Sequence, residues 1–539
     1  MRLTFEGLKE RAAWEAAGIR LPSYSYSVEK AVRAGVQSPR WLHFGSGNIF
    51  RMFLLAIADR LLEQGELAGG ILAAAPHDYE TVDRIYKPHD NLALAVTLRA
   101  DGSMEKRVLG SLAEIVKADP KDPAAWGRLR EIMSAPGLQM VSFTITEKGY
   151  ALAGADGNFF PEVLADFEKG PSEPSCAMTK VCALLYARYQ AGGSPIAMVS
   201  MDNCSHNGER LKNSLLTAAG EWERRGFTDP GFSAWLADKD RVSFPWTMID
   251  KITPRPVEAV AEALEEAGVE GMELMVTQKK TYAAAFVNGE GPEYLVVEDR
   301  FPNGRPAFEK AGVYMTDRET VNKTERMKVT ACLNPLHTAL AVYGCVLGYR
   351  LIADEMKDPA LSGLVWKLGM DEGLPVVESP GILKPEDFLK EVLTERLPNP
   401  FLMDTPQRIA TDTSQKVGIR FGETIKAYVR RDGGAKGLTA VPLAIAGWLR
   451  YLLAVDDAGQ PFELSPDPMA ERLHLQLSNA SSKELRPLLS NANLFGIDLY
   501  QAGLGERIEE MFLELSAGPG AVRRTLEKYV GEYSAKGRK

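Results

Sequence analysis

Short apolar runs recur between helical patterns through the first half of the chain. Trp41–Phe44, Ile71–Ala75, Leu92–Leu98, Met140–Thr144 and Ile196–Met201 have the length and composition of buried strands. Alternation of this kind predicts βα units around a mainly parallel, doubly wound sheet. A further pair, Met272–Val276 and Tyr294–Glu298, extends the sheet in this reading. Past about Asp317 the texture changes to long segments of helical period, Pro335–Glu355, Ala440–Val455 and Leu504–Leu515. The loops Leu397-Pro-Asn-Pro-Phe401 and Ser465-Pro-Asp-Pro468 punctuate them. The expected architecture is an α/β domain over residues 1–320, with an N-terminal extension, and an all-α domain over 321–539.

Composition narrows the classes. At 539 residues the chain is too long for one core. With 45% apolar and 25% charged residues it is expected to pack as a globular protein. A net charge of -9 argues against a nucleic-acid partner but leaves room for a local cationic pocket that takes a small anion. The five cysteines form no CxxC pair, so a reducing cytoplasm is the expected setting. With charge in the first ten residues, no export signal is expected there. The apolar runs 336–353 and 441–455, interrupted by Tyr343, Arg350 and Arg450, read as core helices and not as membrane spans.

The first strand runs into His43-Phe-Gly-Ser-Gly-Asn-Ile-Phe-Arg51. Gly45 and Gly47 permit a tight turn and close approach to a pyrophosphate, and Asn48, Phe50 and Arg51, which open the helix behind them, are expected to join them as cofactor contacts. Position 50 is Phe where the dinucleotide fingerprint has its third glycine, so a purely structural turn fits equally well. Asp78, after the second strand, is placed to hold an adenosine ribose and to repel a ribose phosphate, which favours NAD over NADP. It is equally suited to capping a helix that begins near Tyr79. Three polar clusters, Thr144–Tyr150, Ser200–Gly208 and Phe244–Pro254, fall where strands end and are expected to converge on one crevice.

In the second half, Lys328, Asn334 and His337 stand in an otherwise apolar helical stretch. An amine, a carboxamide and an imidazole supply a proton donor, an oxyanion partner and a hydroxyl ligand without a metal. Three polar residues that merely find partners within a helix are the plainer alternative. A metal site is not expected, because the six histidines are scattered and the cysteines lack ligand spacing.

Taken together, FGSGNIFR, TITEKGY, MDNCSHNG, TMIDKITP, EDRFPNGRP and the Glu-x-x-Lys helix leading to Asn and His resemble the polyol-specific long-chain dehydrogenases. That group includes mannitol dehydrogenase and the hexuronate reductases, and the likeness runs from about Trp41 to Tyr451. It implies an NAD(P)-dependent, zinc-independent secondary-alcohol dehydrogenase with an NAD-binding Rossmann-type domain and a helical substrate domain. It also implies Lys328 as general acid/base, Asn203 and Asn334 as the amide pair for the developing alkoxide, and His337 as a substrate hydroxyl ligand. Glu325 and Glu147 take places near the proton path, Asp250 a place beside the cofactor, and Arg408 and Lys416 cationic substrate positions.

One departure has a structural consequence. The implied pattern spaces lysine, asparagine and histidine by five and three positions, whereas here the steps are six and three. At about 100° per residue the extra step turns Asn334 and His337 off the lysine face, so a π-bulge or break is expected between Lys328 and Asn334. The candidate cations Lys416, Arg408, Arg396 and Lys251 tilt the substrate toward a keto sugar acid, fructuronate or tagaturonate, reduced with NADH to mannonate or altronate. A mannitol or polyol 2-dehydrogenase is the nearest alternative. A non-catalytic nucleotide or sugar-acid sensor is the alternative from another class.

Overall fold

The computed structural model describes residues 1–25, 27–478 and 485–536. The chain forms two compact units, one of residues 1–98 and 104–321, the other of residues 99–103 and 322–539.

The first unit is built on a six-stranded sheet of β1 (Trp41–Phe44), β2 (Ile71–Ala75), β3 (Leu112–Lys117), β4 (Met140–Phe143), β5 (Ile196–Ser200) and β6 (Val242–Ser243). All pairings are parallel and the order is β3-β2-β1-β4-β5-β6. β1, β2, β4 and β5 are buried along their whole length, which is why they read as unbroken apolar runs. Alternate residues feed two cores. Trp41, Ile71, Ala73, Met140 and Val199 enter one, while Leu42, Phe44, Leu72, Val141 and Met198 enter the other. The strand order reverses between β1 and β4, and in such sheets ligands bind outside the carboxyl ends of the strands at that point.

Three strand expectations are corrected. Ala93–Leu98 lies outside this sheet, pairing antiparallel with Met104–Leu109 and parallel with Phe286–Glu290 in a separate four-stranded sheet. Met275–Val276 pairs with Tyr282–Ala283 in a small hairpin, and Tyr294–Glu298 lies between Thr247–Asp250 and Tyr314–Thr316. The strand that does fill the edge, β3, carries half-buried Glu114 and Lys117, and these polar positions mask it in the sequence.

The second unit is helical, with Asn334–Leu347, Pro359–Trp366, Ala440–Tyr451, Gly505–Leu515 and Ala521–Lys536 among its helices. The expected Pro335–Glu355 helix ends at Gly348, whose left-handed φ of 78° terminates it, and the chain resumes helix at Ile352–Glu355. The run Arg318–Leu347 is long and apolar enough to cross a membrane, yet 72% of its most apolar window is buried inside the fold, as in a core helix.

Glu355 is wholly buried, and neither carboxyl oxygen has a hydrogen-bond partner. It fills the space over Gly344, where a Cβ would lie 2.0 Å from its Oε1. Burial first, then the charges of Asp358 and Asp354, push its acidity well above the usual carboxylate range, so it sits in the fold as a neutral acid. The folded state therefore holds a proton that the unfolded chain loses above about pH 4.5, and stability falls as pH rises beyond that value. Glu355→Gln is expected to be near neutral for stability at pH 4.5. Its gain should grow with pH by up to about 1.4 kcal/mol per unit, read as the difference in thermal midpoint. A difference independent of pH would show that Glu355 ionises normally in the folded protein.

Candidate functional site

At the carboxyl end of β1 the chain turns on Gly45, whose φ of 144° is open to glycine. A Cβ there would lie 2.6 Å from Thr144 Oγ1, 2.7 Å from the Thr144 carbonyl oxygen and 2.8 Å from His43 Nε2. At Gly47, by contrast, a Cβ would meet nothing within 4 Å. This is a tight turn followed by open space ahead of a helix, which fits a pyrophosphate. His43 fixes the turn from below: its Nδ1 lies 2.7 Å from Ser142 Oγ, its Nε2 2.9 Å from Thr144 Oγ1, and its ring stacks on Phe50 at 4.3 Å. Burial lowers its pKa to about 3, so the ring is neutral.

The side chains that follow divide by role. Asn48 Nδ2 donates to the Pro254 carbonyl at 3.3 Å, tying the turn to the TMIDKITP segment. Phe50 is fully buried in the core, and the buried guanidinium of Arg51 donates to the carbonyls of Ala284 and Ala285. Both side chains are committed to packing, which corrects their expected place as cofactor contacts. Asp78, after β2, occupies the N-cap position of Tyr79–Thr81 without a capping bond; instead its Oδ2 accepts from Thr277 Oγ1 at 2.6 Å. Arg84, the nearby cation, is paired with Glu80 at 2.6 Å.

Hydrogen bonds join the three polar clusters. The carboxylate of Asp202 accepts from the backbone N–H groups of Ile145 and Thr146, both at 2.9 Å, and from Tyr150 Oη at 2.6 Å. Asn207 Nδ2 donates to the Asp202 carbonyl and to the Thr247 carbonyl at 3.0 Å each, and its Oδ1 accepts from Thr247 N–H at 3.1 Å. Asn203 sits in the turn between these two anchors. Asp202 and Asn207 were not singled out from the sequence, although both lie in MDNCSHNG. Thr146 takes a strained φ of 66°, held by the Asp202 bond. Glu147 is exposed and paired with Arg210 at 2.9 Å. Asp250 is buried at the end of Thr247–Asp250. Lys251 is corrected as a substrate cation, because its buried ammonium donates to the Glu290 carbonyl at 2.7 Å and pairs with Glu293 at 3.2 Å.

In the helical unit, Lys328 is buried and opens a π-turn, Lys328–Cys332, closed by Leu333 N–H donating to the Lys328 carbonyl at 3.1 Å. The hydrogen bond spans five residues and so absorbs the extra position between Lys328 and Asn334. Leu333 then leaves the helical region with φ -134°, and a new helix starts at Asn334, followed by Pro335, which lacks an N–H. Glu325 is half-buried one turn before Lys328. His337 is 17% exposed in its side chain; its Nε2 is buried without a hydrogen-bond partner. Burial, then the charges of Arg420, Arg408 and Arg396, hold its pKa at about 3. The ring is therefore neutral, and its 3.5 Å approach to Asp404 Oδ2 is not an ion pair.

The cations of this unit are held in different ways. The exposed Arg408 is bonded to Asp404. Lys416 Nζ donates to the Thr411 carbonyl at 2.6 Å, and its pKa is lowered by burial and by the charge of Arg420. Arg396 is buried in the π-turn Val392–Arg396. Arg420, which the sequence reading missed, donates to Thr338 Oγ1, one residue beyond His337. Its spacing from Lys416, one helical turn, was the available signal.

Comparison with known proteins adds to this geometry. Residues 39–310 match the model of the mannitol dehydrogenase Rossmann domain, and residues 320–516 that of the mannitol dehydrogenase C-terminal domain. The chain is 52% identical to a D-mannonate oxidoreductase of Thermotoga maritima, over 98% of this chain and 99% of that protein. It is 29% identical to the D-mannonate oxidoreductase of Escherichia coli, over 86% and 90% respectively. Its fold is similar to that of Pseudomonas fluorescens mannitol 2-dehydrogenase, solved as a ternary complex with NAD and D-mannitol. There the TM-score is 0.69 and the identity 27%, covering 99% of this chain and all of that one.

Proposed function

The chain belongs to the mannitol dehydrogenase family, and from that membership we propose that it is an NAD-dependent reductase of a keto sugar acid, with D-fructuronate and D-mannonate as its preferred pair. The observation that carries the acid over a neutral sugar is the charge around His337. Arg420 and Arg408 both act on that ring, and the acid beside it, Asp404, is already bonded to Arg408 while Arg420 donates to the neutral Thr338 Oγ1. A site with surplus positive charge suits a carboxylate. The 52% identity to a D-mannonate oxidoreductase supports the same choice.

In this reading, Gly45, Gly47 and Asn48 cradle the pyrophosphate and Asp78 meets the adenosine ribose; Asp250 stands on the cofactor side. A carboxylate at Asp78 disfavours a ribose phosphate, and Arg84 is held by Glu80, so NAD is preferred to NADP. Bound nicotinamide supplies the hydride in reduction and takes it in oxidation. The protein's own groups handle the oxygen. Lys328 gives its proton to the nascent alkoxide and takes one back in the reverse direction, with Glu325 and Glu147 assigned to the proton path. The amides of Asn203 and Asn334 stabilise the developing charge, by roughly 3 kcal/mol per donor. The neutral, unpartnered Nε2 of His337 is free to accept a substrate hydroxyl. Lys416 and Arg408 bind the remainder of the sugar acid. A neutral-polyol reading is favoured by one observation, the D-mannitol held by the Pseudomonas fluorescens relative.

The test is to supply NADH or NADPH with D-fructuronate and D-tagaturonate and to identify the product. The proposal expects NADH consumed in step with D-mannonate, and NADPH used far more slowly. NADH that binds but is never consumed with either acid would leave a sensor as the better reading.

A further inference from the structure

Arg420 carries a charge that the protein leaves uncompensated. The residue is half-buried, yet among the described residues no carboxylate lies within ion-pair distance, and the one hydrogen bond of its guanidinium goes to the neutral Thr338 Oγ1. A guanidinium withdrawn from water normally has an anionic partner, because the desolvation is costly otherwise. The buried Lys251 obeys that rule with Glu293, and the buried Arg51 and Arg188 donate instead to several backbone carbonyls. Arg420 has neither an acid nor a carbonyl cage.

Its position is built rather than incidental. Arg420 lies in the π-turn Gly418–Gly422. A Cβ at Gly422 would lie 2.0 Å from the Phe495 carbonyl oxygen, and one at Gly418 2.9 Å from that of Leu494. Both glycines thus let the turn dock closely and fix its orientation. Just beyond, Thr424 Oγ1 donates to the Thr330 carbonyl at 3.1 Å, joining this segment to the π-turn that Lys328 opens. Thr338 Oγ1 in turn donates to the Asn334 carbonyl at 2.9 Å. The guanidinium is therefore coupled through one hydroxyl to the helical turn that carries Asn334 and His337. Its charge is felt at His337 and at Lys416.

Resting on the keto-acid reading above, we infer that Arg420 is the specificity-determining residue that receives the substrate's carboxylate, with Thr338 as its positioning residue. The missing anionic partner is the substrate itself. A planar guanidinium held at one nitrogen by Thr338 keeps other donors for a carboxylate, and a charge-assisted contact of that kind separates a sugar acid from its neutral counterpart. Arg408, already bonded to Asp404 and largely exposed, is less suited to the same task.

The experiment measures kcat/KM for D-fructuronate and for D-fructose with NADH in wild type, Arg420→Gln, Arg420→Lys and Thr338→Val. The acid-to-neutral ratio is expected to fall about 100-fold in Arg420→Gln, carried mainly by KM, and by less in Arg420→Lys and Thr338→Val. The ratio of D-mannonate to D-mannitol affinity, measured by calorimetry on the enzyme–NAD complex, should follow it. Arg420→Lys keeps the charge and carries the test if the Gln variant fails to fold. With a wild type that reduces fructuronate, an unchanged ratio in every folded variant overturns this inference and leaves the keto-acid reading standing. A wild type that reduces fructose and ignores both keto acids overturns that reading, and this inference with it.

Discussion

Lys328→Ala is expected to lower kcat for keto-acid reduction by about 1,000-fold while KM stays within a few fold, because a positioned general acid contributes on the order of 100- to 10,000-fold. The residue is buried at the opening of a π-turn. Its removal should leave NADH binding intact and should be partly repaired by added primary amines, which can enter the vacated space. The check is steady-state kinetics with and without methylamine, alongside a fluorescence titration of NADH. Full turnover in Lys328→Ala would remove Lys328 from the chemistry.

The second large effect is expected at the turn after β1. Gly45→Ala forces a Cβ against the Thr144 carbonyl oxygen and His43 Nε2 at a φ of 144° that side chains rarely adopt. Overpacking and backbone strain together cost about 2 to 5 kcal/mol, so both the thermal midpoint and the affinity for NAD should fall. Gly47→Ala separates the two effects. Its Cβ meets no protein atom within 4 Å, so the fold should keep its thermal midpoint while NAD affinity drops about tenfold or more, because the methyl occupies the space offered to the pyrophosphate. Calorimetric titration with NAD and thermal unfolding of the two variants check this. Unimpaired NAD binding in Gly47→Ala would place the cofactor elsewhere.

The sheet was legible where burial on both faces makes strands continuously apolar, as in β1, β2, β4 and β5. It was illegible at β3, where Glu114 and Lys117 interrupt the run, and at Ala93–Leu98, whose apolar character belongs to a different sheet. Periodicity cannot tell which sheet an apolar strand joins. The π-turn after Lys328 was readable because one surplus residue between two side chains that must share a face has few ways to be absorbed. Arg51 and Lys251 were misread for the opposite reason. A cation in a motif looks like a ligand, and only tertiary packing shows that its donors are taken by carbonyls of residues 284, 285 and 290. Arg420 escaped notice because nothing in its neighbours in sequence reveals that it lacks an acidic partner in space.

The chemistry proposed for this site is reduction of a ketone whose carbon chain ends in a carboxylate. The most direct measurement is the wild-type ratio of kcat/KM for D-fructuronate to that for D-fructose, taken with NADH under identical conditions. A buried charge pair to the carboxylate predicts a ratio of about 100 or more. Equal values, or a preference for fructose, would contradict it.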